Sequence, residues 1–127
     1  MIKEILIIIV VVALVIGLDV VSNNYLKESV IELSNGLNEL KVQILKENKE
    51  EAQKQMLKVK EKWAEKYKVL AYYIEHDELE KVETELVRLA SDIDMEDYKH
   101  CINELNTSIF ILEHIQKKEE LDIISIF

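Results

Sequence analysis

Ile5-Leu-Ile-Ile-Ile-Val-Val-Val-Ala-Leu-Val-Ile-Gly-Leu18 is a run of fourteen residues with no charge and no strongly polar side chain. Only Met1 to Glu4 precede it. A segment this apolar at an N-terminus is either a membrane anchor or a signal peptide. Extended across Asp19 to Val21, the stretch from Ile5 covers about 25 Å as a helix, against a hydrocarbon core of about 30 Å. Lys3 can reach one headgroup layer, and Asp19 can sit in the other. The Val and Ile content does not argue for a strand. A lone strand in lipid leaves its backbone groups unpaired, so a single span is helical.

Residues 1–21 therefore read as a transmembrane anchor and 22–127 as the domain it carries. Lys3 and the α-amino group outweigh Glu4, which favours a cytoplasmic N-terminus and an extracytoplasmic domain at the cell membrane. The apolar length also suits a cleaved signal peptide, with Val20-Val21-Ser22 as a cleavage site. The usual Ala-x-Ala pattern is missing and the basic region is weak. Ala13 and Gly17, four apart, share one helix face and would permit close helix approach in lipid.

The domain contains no proline, and Gly36 is its only glycine. Leu, Ile, Val, Glu and Lys dominate, a composition suited to long helices and poor in β-turn material. From Ser22 onward, 15 Lys and Arg face 23 Asp and Glu, a net charge of −8. That surface is unsuited to nucleic acid, which demands basic patches. It is equally unsuited to lying flat on anionic lipid. The single cysteine, Cys101, excludes an intrachain disulfide.

The apolar spacing is helical throughout. Leu26, Val30, Leu33, Leu37, Leu40 and Ile44 recur at three or four, close to a heptad seam, and can continue straight from the anchor. The polar cluster Lys46 to Lys49 predicts the first turn. Ala52, Met56, Val59, Trp63, Tyr67, Leu70 and Ile74 form a second stripe ending around Glu75-His76. Asp77 then reads as an N-cap, with Glu80 three residues on as its capping-box partner. Leu79, Val82, Leu86, Leu89 and Ile93 follow, and Asp94 reads as the next cap. Tyr98, Ile102, Leu105, Ile109 and Leu112 complete a fourth stripe ending near Gln116. The fold class is all-α: an N-terminal transmembrane helix and an antiparallel bundle of about four helices, as two αα-hairpins. The apolar tail, Leu121 to Phe127, is expected to dock back on the bundle, with a partner or the membrane surface as the alternative. A shift of 46 residues pairs Leu33, Leu40, Met56, Val59 and Trp63 with Leu79, Leu86, Ile102, Leu105 and Ile109, a faint repeat.

Few residues carry chemistry. His100 and His114 are fourteen apart, about 21 Å along a helix, too far for one metal ion. No C-x-x-C, H-x-x-x-H or H-E-x-x-H pattern occurs, and no metal or cofactor is implied. The serines lie in no nucleophile elbow, and no glycine-rich loop is present to hold phosphate. Carboxylates fall on the solvent faces of charged helices. The candidates for interaction are Trp63, Tyr67, Tyr73, His76, Asp77 and Phe127. Trp63 and Tyr67 belong to core or to a pocket wall, and Tyr72 and Tyr73 cannot both point inward. Glu75-His76-Asp77-Glu78 reads as a helix junction, with His76 at the C-terminus of one helix and the acids opening the next.

The chain resembles a family of small bacterial proteins, chiefly from spore-forming and related Gram-positive bacteria, catalogued as a domain of unknown function. The resemblance rests on the apolar N-terminal helix, Asn23-Asn-Tyr-Leu26, Trp63, Tyr73-Ile-Glu-His-Asp-Glu78, Leu112-Glu-His-Ile115 and Ile126-Phe127. Family members have proline near the last motif, where this chain has Gln116. The resemblance supplies no catalytic residues. The functional expectation is a membrane-anchored, non-enzymatic interaction or structural module acting through a membrane or envelope protein. The alternative is an extracytoplasmic small-ligand sensor with an aromatic pocket near Trp63 and Tyr67. Nothing in the sequence fixes an oligomeric state.

Overall fold

Glu47 and Glu96 are the only described non-glycine residues with left-handed backbone, at φ 54° and 58°. Each marks a corner between two helices in a computed structural model. Residues 1–126 are described there, without the Ile126 side chain; the expected interaction residue Phe127 lies outside the described residues. The helices are α1 (Ile2–Leu45), α2 (Lys49–Leu70), α3 (His76–Asp94) and α4 (Tyr98–Ile126). Among the described residues there is no strand. Each helix packs on two others, in the cyclic order α1, α2, α3, α4, with α2 and α3 touching least.

The two corners share one construction. After α1, the Glu47 N–H donates to Ile44 O (2.9 Å) and the Asn48 N–H to Gln43 O (3.1 Å). After α3, the Glu96 N–H donates to Ile93 O (3.1 Å) and the Asp97 N–H to Asp92 O (2.9 Å). Both are Schellman closures, which satisfy the last carbonyls of a helix and usually use glycine at the left-handed position. The next residue caps the following helix in each case. Asn48 Oδ1 accepts from the Glu51 N–H (3.3 Å), and Asp97 Oδ1 from the His100 N–H (3.4 Å). Asp97, not Asp94, is therefore the cap of α4. Asp94 stays in α3, where its carboxylate accepts from Gln53 Nε2 of α2 at 2.8 Å.

These corners correct the expected repeat. Glu47 and Glu96 are 49 positions apart, not 46. At that offset Leu33, Leu37, Leu40, Ile44, Ala52, Met56 and Trp63 fall on Val82, Leu86, Leu89, Ile93, Cys101, Leu105 and Leu112, all buried. The three-residue difference is almost one helical turn, so apolar stripes overlay nearly as well at 46. Turn chemistry distinguishes the two registers where hydropathy does not.

The core runs along the axis. Leu37, Leu40, Leu89, Ile93 and Leu105 are wholly buried. Burial of such side chains stabilises by about 1.5–3 kcal/mol each. Gly36 does not break α1, because α2 crosses against it. A Cβ there would meet Val59 Cγ2 at 3.3 Å, and Gly36 O accepts from Gln55 Nε2 at 3.2 Å.

Three further boundaries differ from expectation. Helix α2 closes at Leu70, before Glu75-His76, with Tyr72 and Tyr73 N–H groups bonding three residues back to Val69 and Leu70. Ile74 still enters the core from the connection. Helix α3 opens at His76, so Asp77 is in its first turn and not its cap; the cap residue, Glu75, makes no side-chain capping bond. His76 accordingly sits at a helix N-terminus and not at the C-terminus of α2. Helix α4 runs past Gln116 to Ile126. As far as Ile126 the tail continues the helix and does not fold back: Ile123 is half-buried, while Leu121 and Ile124 are exposed.

Candidate functional site

Trp63 is buried in the core, and the Tyr67 ring meets it edge-on with centroids 5.9 Å apart. Tyr67 is half-buried and stands at the loose seam between α2 and α3. There it borders an open groove of about 380 Å³ with Ala64, Leu86 and Val87, flanked by Lys60 and Glu83. Trp63 Nε1 is buried with no acceptor among the described residues. A second groove, about 630 Å³, lies between α1 and α2, away from the aromatics. Val42 and Leu57 line it among Glu39, Lys54, Lys58 and Glu61, and the mixed signs suit solvent better than a ligand.

The stripe read from sequence was one residue off at its polar member. Lys66, not Tyr67, takes the buried position between Trp63 and Leu70, and is 8% exposed. Its ammonium meets Glu32 Oε2 at 3.0 Å and lies 5.2 Å from the centre of the Tyr25 ring. The hydrogen bond with Glu32 raises the Lys66 pKa and lowers that of Glu32. Spacings of three and four allow either residue.

Tyr73 is half-buried near Tyr25 and Glu119, and burial pushes its hydroxyl up to about 12. Its oxygen has no partner among the described residues, whereas Tyr72 is 89% exposed. One tyrosine is thus in and one out. His76 and Asp77 are exposed, with no side-chain hydrogen bond or ion pair among the described residues. The acids at Asp77 and Glu78 suit the positive end of α3. Glu78 also pairs with Lys118 of α4 at 3.8 Å. The structure therefore brings Trp63 and Tyr67 together and leaves Tyr73, His76 and Asp77 at separate points around the α2–α3 connection.

An acidic pair was missed. Glu104 of α4 is half-buried beside Asp92 of α3, and Glu104 Oε2 has no partner among the described residues. Burial, then the Asp92 carboxylate, pushes Glu104 up to about 7. Both residues immediately precede a core position, Leu105 and Ile93, and that flanking spacing was the available signal. Cys101 nearby is wholly buried, and burial pushes its thiol up to about 12, so it is neutral and unreactive. His100 points outward and pairs through Nδ1 with Asp97, which raises its pKa.

The first half of α1 is bare. Every apolar side chain from Ile5 to Val12, with Leu14 and Val15, is half exposed or more. A Cβ at Gly17 would meet nothing within 4 Å, so the Ala13–Gly17 face is unoccupied among the described residues. Among the described residues, one helix is thus long and apolar enough to cross a membrane.

An all-α bundle with paired Schellman corners and one apolar helical extension is the class these features define. The chain matches the family described as a domain of unknown function, DUF4363, over residues 20–126, and it belongs to that family. The match begins where the apolar run ends. No curated protein and no solved structure matches the chain.

Proposed function

We propose that this protein is a membrane-tethered, non-enzymatic helical module that works through contacts with another membrane or envelope protein. The observation that supports it is the continuity of α1. One helix of 44 residues carries the exposed apolar segment directly into the buried stripe from Leu26 to Ile44. No turn interrupts it. A bundle joined this way stands on its span in a fixed orientation, and a partner beside the span would sense any tilt of the bundle. The bare apolar face is costly in water and suited to lipid. Lys3 favours a cytoplasmic N-terminus, with the bundle outside the cell membrane. Ala13 and Gly17 offer the face on which a second helix could pack closely.

The test uses the full-length chain with a photocrosslinking residue at Val10, on the Ala13–Gly17 face. The chain should remain in membranes after alkaline carbonate and yield one discrete protein adduct. Ala13→Leu should abolish that adduct. Release by carbonate overturns the tether, and adducts with lipid alone overturn the partner.

The groove between α2 and α3 favours a second reading, an extracytoplasmic sensor for small aromatic molecules held against Tyr67. It predicts that indole raises the melting temperature of the wild type but not of Val87→Trp, which fills the groove. Absence of a shift in the wild type removes this reading.

A further inference from the structure

The last turns of α4 extend beyond the four-helix part of the fold. Glu119 lies near Tyr25 and Tyr73, and Lys118 pairs with Glu75 at 3.7 Å and Glu78 at 3.8 Å. These contacts fix Glu119 at the level where α2 and α3 are joined. From there α4 continues alone beside α1, antiparallel to it. Seven further residues rise about 10 Å, which brings the end of α4 alongside Leu18 and Asp19.

Two helices cannot cover one another on all sides. Leu121 and Ile124 continue the outward face of Phe110 and Lys117, at 56% and 68% exposure. Ile123 is on the opposite, half-buried side. Apolar side chains thus stand on the outward face of this end of α4 as well as on the side toward α1, with the exposed Asp122 and Ser125 on the flank between them. Val20 and Val21 of α1, at the same level, are also exposed at 48% and 67%. The result is an apolar collar at the base of the span.

We infer that this end of α4, through Leu121 and Ile124, dips into the lipid interface beside the root of α1 and gives the bundle a second membrane contact. This rests on the reading of α1 as a span. The occupant is lipid because the collar is continuous with the apolar run and lies at the depth where that run meets its first charge, Asp19. Glu119, Glu120 and Asp122 against Lys117 and Lys118 favour a zwitterionic surface over an anionic one.

Depth measurements on the full-length chain in phosphatidylcholine vesicles test this, with spin labels placed singly in a Cys101→Ala background. A label at Val12→Cys reports the span, one at Ile124→Cys the collar, and one at Phe110→Cys the same α4 face farther along. The Ile124 label should read about 5–10 Å below the phosphates, as for interfacial helices, with Val12 deeper and Phe110 in water. Leu121→Glu combined with Ile124→Glu should leave the melting temperature unchanged, while tightly bound lipid is lost. A buried Val12 label with an Ile124 label in water overturns this inference alone. Label–label contact at Ile124 between two chains also overturns it, in favour of a second copy. A Val12 label in water overturns the membrane reading itself.

Discussion

Glu47 and Glu96 hold the same backbone conformation in two equivalent corners, 49 positions apart, and neither is glycine. A left-handed residue with a Cβ carries strain of about 1–2 kcal/mol. Glycine relieves it but loses part of the gain to the entropy of the unfolded chain. Glu47→Gly and Glu96→Gly should each stabilise the fold by about 0.5–1 kcal/mol. Thermal or urea melts measure this, and a loss of stability in either variant contradicts the corner assignment.

Glu104 gives the fold a pH dependence. Its folded pKa, about 7, is above the ordinary carboxyl value of 4.5. The folded state therefore holds this proton more tightly than the unfolded state. Its contribution is fully present below about pH 4.5 and is lost as pH rises through about 7. Glu104→Gln keeps a neutral side chain at every pH. It should stabilise the protein at pH 8 by on the order of 2 kcal/mol and flatten the melting-temperature profile between pH 5 and 7. An unchanged profile contradicts the raised Glu104 pKa, and with it the burial of Glu104 beside Asp92.

Lys66 and Glu32 predict an asymmetry. Glu32→Gln leaves an ammonium at 8% exposure without its carboxylate. It should cost about 1–2 kcal/mol. Lys66→Met removes the buried charge and keeps the packing, so it should be neutral or stabilising. Urea denaturation of the two variants and the double mutant decides. A larger loss for Lys66→Met contradicts the burial argument.

The two glycines should behave oppositely. Gly36 sits under Val59, and Gly17 faces open space. Gly36→Leu should destabilise the bundle by about 1–3 kcal/mol through overpacking. Gly17→Leu should leave bundle stability within about 0.5 kcal/mol. Equal effects would mean that the α1–α2 crossing is not as close as described.

Much of this fold is legible from hydrophobic spacing. The four stripes, the unbroken passage from Val21 to Leu26 and the first turn near Lys46 all follow from it. What spacing misses is decided by single residues at helix ends. Asp77 and Asp94 resemble caps, but Glu75 precedes α3 and Asp97 caps α4, because caps are set by where the chain crosses and not by which acid comes first. Polarity hid Lys66, since a charged residue on a core stripe is readable only once its partner Glu32 is known. Glu104 was hidden likewise, as its environment depends on Asp92 from another helix. The extension of α4 to Ile126 was missed because an apolar tail suggests folding back, whereas α1 continues alongside it and supplies a surface.

Amide hydrogen exchange on the full-length chain in lipid nanodiscs tests most directly whether α1 is one rigid helix from lipid to bundle. Protection should run without a gap from Ile5 through Leu45, including residues 19–25. Rapid exchange across 19–25 would reveal a hinge, and rapid exchange across 5–18 would show that the apolar run is not in lipid; either result contradicts the account.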